Sequence, residues 1–216
     1  MAISPATAGP PSLRRRDLQK EQTRLDMALA AFELAKAEGL ANVRVPQIAD
    51  AVGVSPRTFN NYFSSKEAAI VFPTTLRAAR MATSLAERPA DEPLADALIE
   101  SVALLYGPEG QDGLPDGWLD GFRSLVSAEP ALHGEYLKAV AAGERDLADA
   151  VASRIGGAAD DLQTLVLASV VVAAERAAVL HWFRLTARQP ESQLLLPDVV
   201  RTAIDMAVRG ATATFV

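Results

Sequence analysis

The spacing of apolar residues predicts helices along almost the whole chain. From Asp17 to Glu38, Leu18, Leu25, Leu29 and Phe32 recur at separations of seven, four and three, the rhythm of a helical face. Gly39 supplies a stop, since glycine takes the left-handed conformation that ends a helix at no steric cost. Pro46 suits the first turn of a short helix, where its missing N–H is not needed, and Ile48, Ala49 and Val52 then share a face up to Gly53. Ser55-Pro56 reads as an N-cap followed by a first-turn proline. In the two-turn helix that follows, Phe59 and Phe63 are four apart and point the same way, which leaves Arg57, Thr58, Asn60 and Asn61 on other faces. Ser64 or Ser65 caps a longer helix from Lys66 to about Arg88.

The remainder repeats this grammar. Leu94 to Tyr106 reads as one helix, and the glycine- and proline-rich run from Gly107 to Gly117 as a loop. Trp118 to Ala128 is a short helix stopped near Pro130, and Ala131 to Ile155 a long one broken by Gly156-Gly157. Asp160 or Asp161 caps a helix that runs to about Arg188, and Pro197 to about Gly210 closes the chain. No strand of useful length and no repeat is visible, so the expected fold class is all-α, about nine helices, three short ones in front of a larger bundle. The helix from Asp161 is apolar nearly all round in its first half, which predicts burial on both sides. One side would face its own bundle and the other a second subunit, making the protein a homodimer with Glu175 and Arg176 at or near the interface.

Composition removes whole classes of chemistry. The 216 residues contain no cysteine and two histidines, His133 and His181, so disulfides, thiol nucleophiles and thiolate or histidine-rich metal sites are not expected, and no cofactor is implied. Half the residues are apolar, enough for a core without staples. The longest apolar stretch, Leu162 to Phe183, is interrupted by Gln163, Glu175, Arg176 and His181, which argues against a membrane span. The first dozen residues lack the apolar core of a signal peptide, so no export and a cytoplasmic location are expected. The net charge of −6 argues mildly against a polyanionic partner, but it is unevenly spread. Residues 1–72 carry nine Lys/Arg against seven Asp/Glu, a net +2, whereas residues 73–216 carry twelve against twenty, a net −8. A mildly basic front on an acidic body is the asymmetry of a module that faces a polyanion.

Three helices with a tight turn between the second and third suggest a helix-turn-helix. Ala49 is small where two helices pass closely, Gly53 permits the turn, Val54 plugs the gap, and Ile48, Phe59 and Phe63 fix one helix on the other. The stretch Gln47-Ile-Ala-Asp-Ala-Val-Gly-Val-Ser together with Tyr62-Phe63-Ser-Ser-Lys66-Glu67 resembles the DNA-binding domain of the TetR family of transcriptional regulators, over residues 20–72. The run Pro56 to Phe63 is also similar to members from high-GC bacteria, some of which look like acyl-CoA-responsive regulators. The resemblance implies a disordered basic tail over 1–16, a DNA-binding domain over 17–65 with its motif at about 44–63, and a ligand-binding and dimerisation domain over 66–216. It implies a homodimer on a pseudo-palindromic double-stranded operator, released, most commonly as a repressor, by a small and often apolar effector.

Site roles follow residue by residue. Arg57 is the candidate for reading guanine, since its fork matches O6 and N7, and Asn60 or Asn61 for reading adenine. Thr58 can touch a thymine methyl or a phosphate. Tyr62 and Lys66 match positions that hold backbone phosphates, a positioning role. Ser55 and the free N–H groups at the start of the Pro56 helix can bind another phosphate, and Arg44 and Gln47 lie where they can do likewise. Arg14, Arg15 and Arg16 form either a minor-groove tail or a solubilising one. Val45 replaces a frequent threonine, and Asn60 a frequent aromatic residue, so operator preference does not transfer by analogy.

In the rear domain Tyr106, Trp118, Phe122, Tyr136, Trp182, Phe183 and Phe215 are candidates for a ligand pocket, with core packing the alternative for each. His181 is expected to be partly buried and satisfied. A helical enzyme is disfavoured because no metal-spaced cluster, P-loop, GxSxG or GxGxxG run is present. An architectural DNA-bending protein would not need so large an apolar rear domain.

Overall fold

The computed structural model describes residues 11–107, 113–189, 191 and 193–212. Those residues form α1 (Pro11–Glu38), a 3-10 turn (Leu40–Asn42), α2 (Val45–Ala51), α3 (Pro56–Tyr62), α4 (Lys66–Glu87) and α5 (Leu94–Ala103), which runs into a second 3-10 turn (Leu104–Tyr106). They continue with α6 (Trp118–Ala128), α7 (Pro130–Ile155), α8 (Leu162–Arg188) and α9 (Leu196–Thr212). The fold is all-α, with no strand among the described residues.

The chain divides into two compact units, Met1–Phe72 and Pro73–Val216. The division falls inside α4 rather than at its start, and Pro73, which cannot donate the helical hydrogen bond, is the first residue past it.

In the first unit the core gathers Met27, Ala28, Ala31, Phe32 and Ala35 from α1, Ile48 and Ala49 from α2, Phe59 from α3, and Ala69 and Ile70 from α4. Phe63 stacks obliquely on Phe59 and meets Phe72 edge-on, with centroids 5.5 and 5.6 Å apart. The rhythm that marked α1 is only partly the buried one: Leu18 is exposed, and Met27, an apolar position outside that rhythm, is fully buried. The helix also starts earlier than Asp17. Residues 11–16, expected in the tail, already have helical backbone, and the rest of the tail lies outside the described residues.

The second unit is built on α8, which packs most extensively against α9 and α7, with α5 completing the core through Leu98 and Val102. Arg201 of α9 reaches Glu100 of α5 at 3.2 Å, and Arg209 reaches Asp96 at 2.9 Å, fixing the register of the two helices. Arg154, near the end of α7, donates to the carbonyls of Pro89 and Glu92 at 2.6 and 2.7 Å, closing the turn after α4. Pro130 opens α7 rather than merely ending α6, as a first-turn proline can. Asp161 takes the N-cap position of α8, but its carboxylate turns back to accept from Ala158 N at 2.8 Å instead of capping the helix. By length and composition α8 could cross a membrane; here Leu167, Ala168, Val171, Val172 and Ala178 make it part of the core.

The first half of α8 is apolar on its outer side as well as its inner one, with Leu162 72% and Leu165 45% exposed. Glu175, half-buried, and Arg176, exposed, both line a cavity within the unit, together with residues of α4, α6 and α7. His181 is exposed rather than partly buried.

Helices α4 and α7 cross with Gly143 against Ala78. A Cβ built on Gly143 would lie 2.5 Å from the Ala78 Cβ, closer than two carbons can stand. Gly143→Val is therefore expected to destabilise the protein by about 1–3 kcal/mol through overpacking. Gly134→Ala, also in α7 but with open space around the added carbon, is expected to be neutral or to stabilise by about 0.5 kcal/mol. Paired denaturant melts of the two variants distinguish a packing constraint from a general dislike of side chains in α7.

Candidate functional site

Each of the two units carries one candidate site. In the first, the turn between α2 and α3 is tied by Val54 N donating to Ala49 O at 2.9 Å and Gly53 N to Asp50 O at 3.2 Å. Gly53 has φ +69°, a left-handed conformation that a Cβ would strain. Ser55 caps α3: its Oγ accepts from Thr58 N at 3.0 Å and shares a second hydrogen bond with Thr58 Oγ1 at 2.8 Å.

The cap changes what the helix start can offer. Pro56 has no N–H, Thr58 N is taken by Ser55 Oγ and Phe59 N by Ser55 O, so Arg57 N is the one free donor among the first four residues of α3. The expected phosphate seat formed by Ser55 and a row of free N–H groups is thus largely occupied by the helix's own cap. Pro56, Arg57, Asn60 and Asn61 are exposed, with Thr58 and Tyr62 half-buried at their flanks. Residues 57, 60 and 61 share one face by their three- and four-residue spacing. Among the described residues none of their side chains makes a hydrogen bond or an ion pair within the chain.

Gln47 and Lys66, both proposed for backbone phosphates, also bond within the chain. Gln47 folds back, its Oε1 accepting from Arg44 N at 2.7 Å and its Nε2 donating to Glu38 Oε2 at 3.3 Å, so it caps α2. Arg44 remains exposed beside it. The Lys66 ammonium turns inward and donates to Leu40 O at 2.6 Å and Val43 O at 2.8 Å. Leu40 opens the 3-10 turn that follows α1 and its carbonyl also accepts from Val43 N at 3.3 Å, while Val43 directly follows the turn. Lys66 therefore bolts the start of α4 to that turn and has at most one N–H left for anything else. For Arg14, Arg15 and Arg16 the backbone lies in the first turns of α1.

In the second unit a cavity of about 660 Å³ opens between α4, the Leu104–Tyr106 turn, α6, α7 and α8. Tyr106, Trp118, Phe122 and Tyr136, four of the six proposed pocket aromatics that fall within the described residues, line it. Trp118 and Phe122 stack in near-parallel planes, 4.8 Å between centroids, and Tyr136 meets Phe122 edge-on at 6.0 Å. The other two, Trp182 and Phe183, line a neighbouring cavity of about 540 Å³ whose walls share Arg77, Tyr106 and Trp118 with the first. Phe215 lies outside the described residues.

Sequence reasoning missed the polar half of this wall. Arg77 from α4, Arg123 from α6, and Glu175 and Arg176 from α8 all face the larger cavity. Tyr106 Oη donates a very short hydrogen bond to Glu175 Oε1. Burial pushes the Glu175 carboxyl up, against the opposing pull of the Tyr106 hydrogen bond, Arg77 and Arg176, and so favours its neutral form. Burial first, then the nearby Glu175, raises the Tyr106 phenol well above its usual range. Helix periodicity placed these residues but could not say which helices would close around them.

Comparisons with known proteins agree with this geometry. Residues 29–69 match the family model described as bacterial regulatory proteins, tetR family, and residues 117–212 match the MftR C-terminal domain. The chain is 33% identical over 184 residues to the HTH-type transcriptional regulator TcmR of Streptomyces glaucescens, covering 82% of this chain and 80% of the relative. A tetR-family transcriptional regulator from Streptomyces coelicolor superposes with a TM-score of 0.53 at 15% identity, covering 91% of this chain and 84% of the other. A chain assigned to the same family from Mesorhizobium loti gives 0.52 at 15% identity, covering 90% and 96%. These structural likenesses concern the fold.

Lys66→Ala removes two charge-assisted hydrogen bonds and leaves two backbone carbonyls without them. The expected cost is about 2 kcal/mol or more, read as earlier loss of amide protection over residues 20–72 in hydrogen exchange. Wild-type protection in that variant would mean that the inward ammonium carries no structural weight.

Proposed function

Because the chain belongs to the TetR family of bacterial transcriptional regulators, a family of regulators rather than enzymes, we propose that it is a repressor that acts as a homodimer on a pseudo-palindromic operator in the cytoplasm. A small effector with a largely apolar body, bound in the cavity of the second unit, releases the DNA. Residues 17–65 form the DNA-binding domain in this reading, and 66–216 bind the effector and dimerise.

The observation that carries the reading is the outer face of α3. Arg57, Asn60 and Asn61 are exposed side by side, with no partner inside the chain among the described residues, on a helix whose opposite face is anchored by Phe59. A guanidinium and two carboxamides are the groups that pair with base edges. Tyr62, Thr58 and Arg44 stand at the margins, where backbone phosphates would pass. Gln47 and Ser55 contribute by holding α2 and α3 in shape, and Lys66 by locking α4.

The dimer reading is supported by apolar surface that a single chain leaves uncovered. Leu162 and Leu165 on α8, and Met206 on α9 at 73% exposure, lie outward on the two longest-packed helices of the second unit. Large apolar side chains exposed on both helices are surface that a second copy could cover.

Fluorescence anisotropy with duplexes from the DNA flanking the protein's own gene tests the DNA reading. Binding no tighter than to random duplex at about 0.15 M salt would sink it. Arg57→Ala is expected to cost about 1–3 kcal/mol on the preferred sequence and to relax preference at one base pair; unchanged preference would move the reading face elsewhere. Sedimentation at micromolar concentration is expected to give twice the 22.9 kDa chain mass, and a monomer there would contradict the dimer.

A further inference from the structure

The larger cavity holds more positive charge than its own side chains neutralise. Arg77, Arg123 and Arg176 line it, against the single carboxylate of Glu175. Among the described residues neither Arg77 nor Arg176 forms a salt bridge. Arg123 reaches only Asp120, at 3.6 Å, and its Nε is buried without a hydrogen-bond partner. Instead each guanidinium lies over an aromatic ring: Arg77 over Tyr106 at 4.6 Å, Arg123 over Phe183 at 4.7 Å and Arg176 over Tyr136 at 5.8 Å. A ring face steadies a guanidinium, and although Arg77 also lies within reach of the Tyr106 hydroxyl and Arg176 of the Tyr136 hydroxyl, each five-donor group keeps N–H groups for a further acceptor.

Glu175 does not cancel this surplus. One of its oxygens is held by Tyr106 Oη, and its burial favours the uncharged form. A cationic lining that is part-enclosed by apolar walls is costly until an anion enters it, and a carboxylate is the group that a guanidinium fork matches in two parallel hydrogen bonds.

Resting on the reading of this cavity as the effector site, we infer that the effector is an amphipathic carboxylic acid. Its carboxylate sits against Arg77 and Arg176, and its apolar body lies along Trp118 and Phe122. An uncharged apolar compound of the same shape leaves the guanidiniums unsatisfied and binds more weakly. Arg77 and Arg176 thereby become the residues that set effector specificity, one from α4 and one from α8.

The test compares probes that differ only in charge. Anilinonaphthalene sulfonate and its uncharged parent, N-phenyl-naphthylamine, are titrated into the full-length protein by fluorescence. Naphthoate and its neutral isostere naphthamide are then used to displace the bound probe. The anionic member of each pair is expected to bind at least about tenfold tighter. Arg77→Gln and Arg176→Gln should each remove most of that preference without weakening N-phenyl-naphthylamine, and Arg77→Lys, which keeps the charge, should retain part of it. Val126→Trp and Val140→Phe, which fill the cavity, should weaken all four compounds. Equal binding of charged and neutral probes, or a preference that survives both glutamine variants, overturns the acid inference while leaving the cavity as the effector site. Binding that ignores both cavity-filling variants overturns the cavity reading as well.

Discussion

Helix α4 has to satisfy two cores in one unbroken run, and much of the architecture answers to that constraint. Its first turns bury Ala69, Ile70, Val71 and Phe72 in the first unit, and its later turns give Arg77, Ala78, Met81 and Leu85 to the second. A helix that serves both must be fixed at its start and closely fitted further along. Lys66 does the first by gripping the Leu40 and Val43 carbonyls. Gly143 does the second, because only a residue without a side chain lets α7 approach Ala78 so closely. Ser65 adds a conventional cap, its Oγ accepting from Ala68 N at 3.0 Å. Each of these contacts involves a residue that looks unremarkable in isolation, a lysine, a glycine and a serine on surfaces that periodicity alone would leave to solvent.

That is also where legibility in the sequence stops. Helix ends were readable because they depend on local rules. Ser55-Pro56, Trp118 and the glycines at 39, 53 and 156 mark boundaries that the backbone follows. Core membership was readable where apolar spacing is strict, as at Phe59, Phe63 and Ile48. Leu18 broke the pattern, since a periodic leucine on a helix longer than its supporting core has nothing to pack on. The structural roles of Lys66 and Gln47 were hidden for a different reason. A polar side chain reads as outward by default, and only the three-dimensional position of orphaned backbone groups reveals that it is wanted inside. The same blindness hid Arg77, Arg123, Glu175 and Arg176, which sit on three helices that only tertiary packing brings around one space.

The two sites use cations in opposite ways. On α3 Arg57 is exposed and its guanidinium pairs with nothing among the described residues, so it is ready to exchange water for a base edge at little cost. In the cavity the guanidiniums are pinned on aromatic faces within a part-enclosed space, where each unmade hydrogen bond weighs more because the surroundings polarise less. The first arrangement suits a partner that is read and released repeatedly along a long polymer. The second suits a small partner whose entry must change an energy balance.

The charge asymmetry of the chain gains a finer meaning from this contrast. The acidic excess of the second half is a property of its surface, where Asp and Glu outnumber Lys and Arg. The lining of its larger cavity has the opposite sign, three guanidiniums against one carboxylate whose ionisation burial opposes. An acidic exterior repels polyanions from the outside of the second unit, while the cationic lining draws a single small anion to its inside. Net charge by residue range therefore points to where nucleic acid is not wanted, and says nothing about the ligand. The ligand's charge is legible only after the fold has sorted the arginines into those that face water and those that face the cavity.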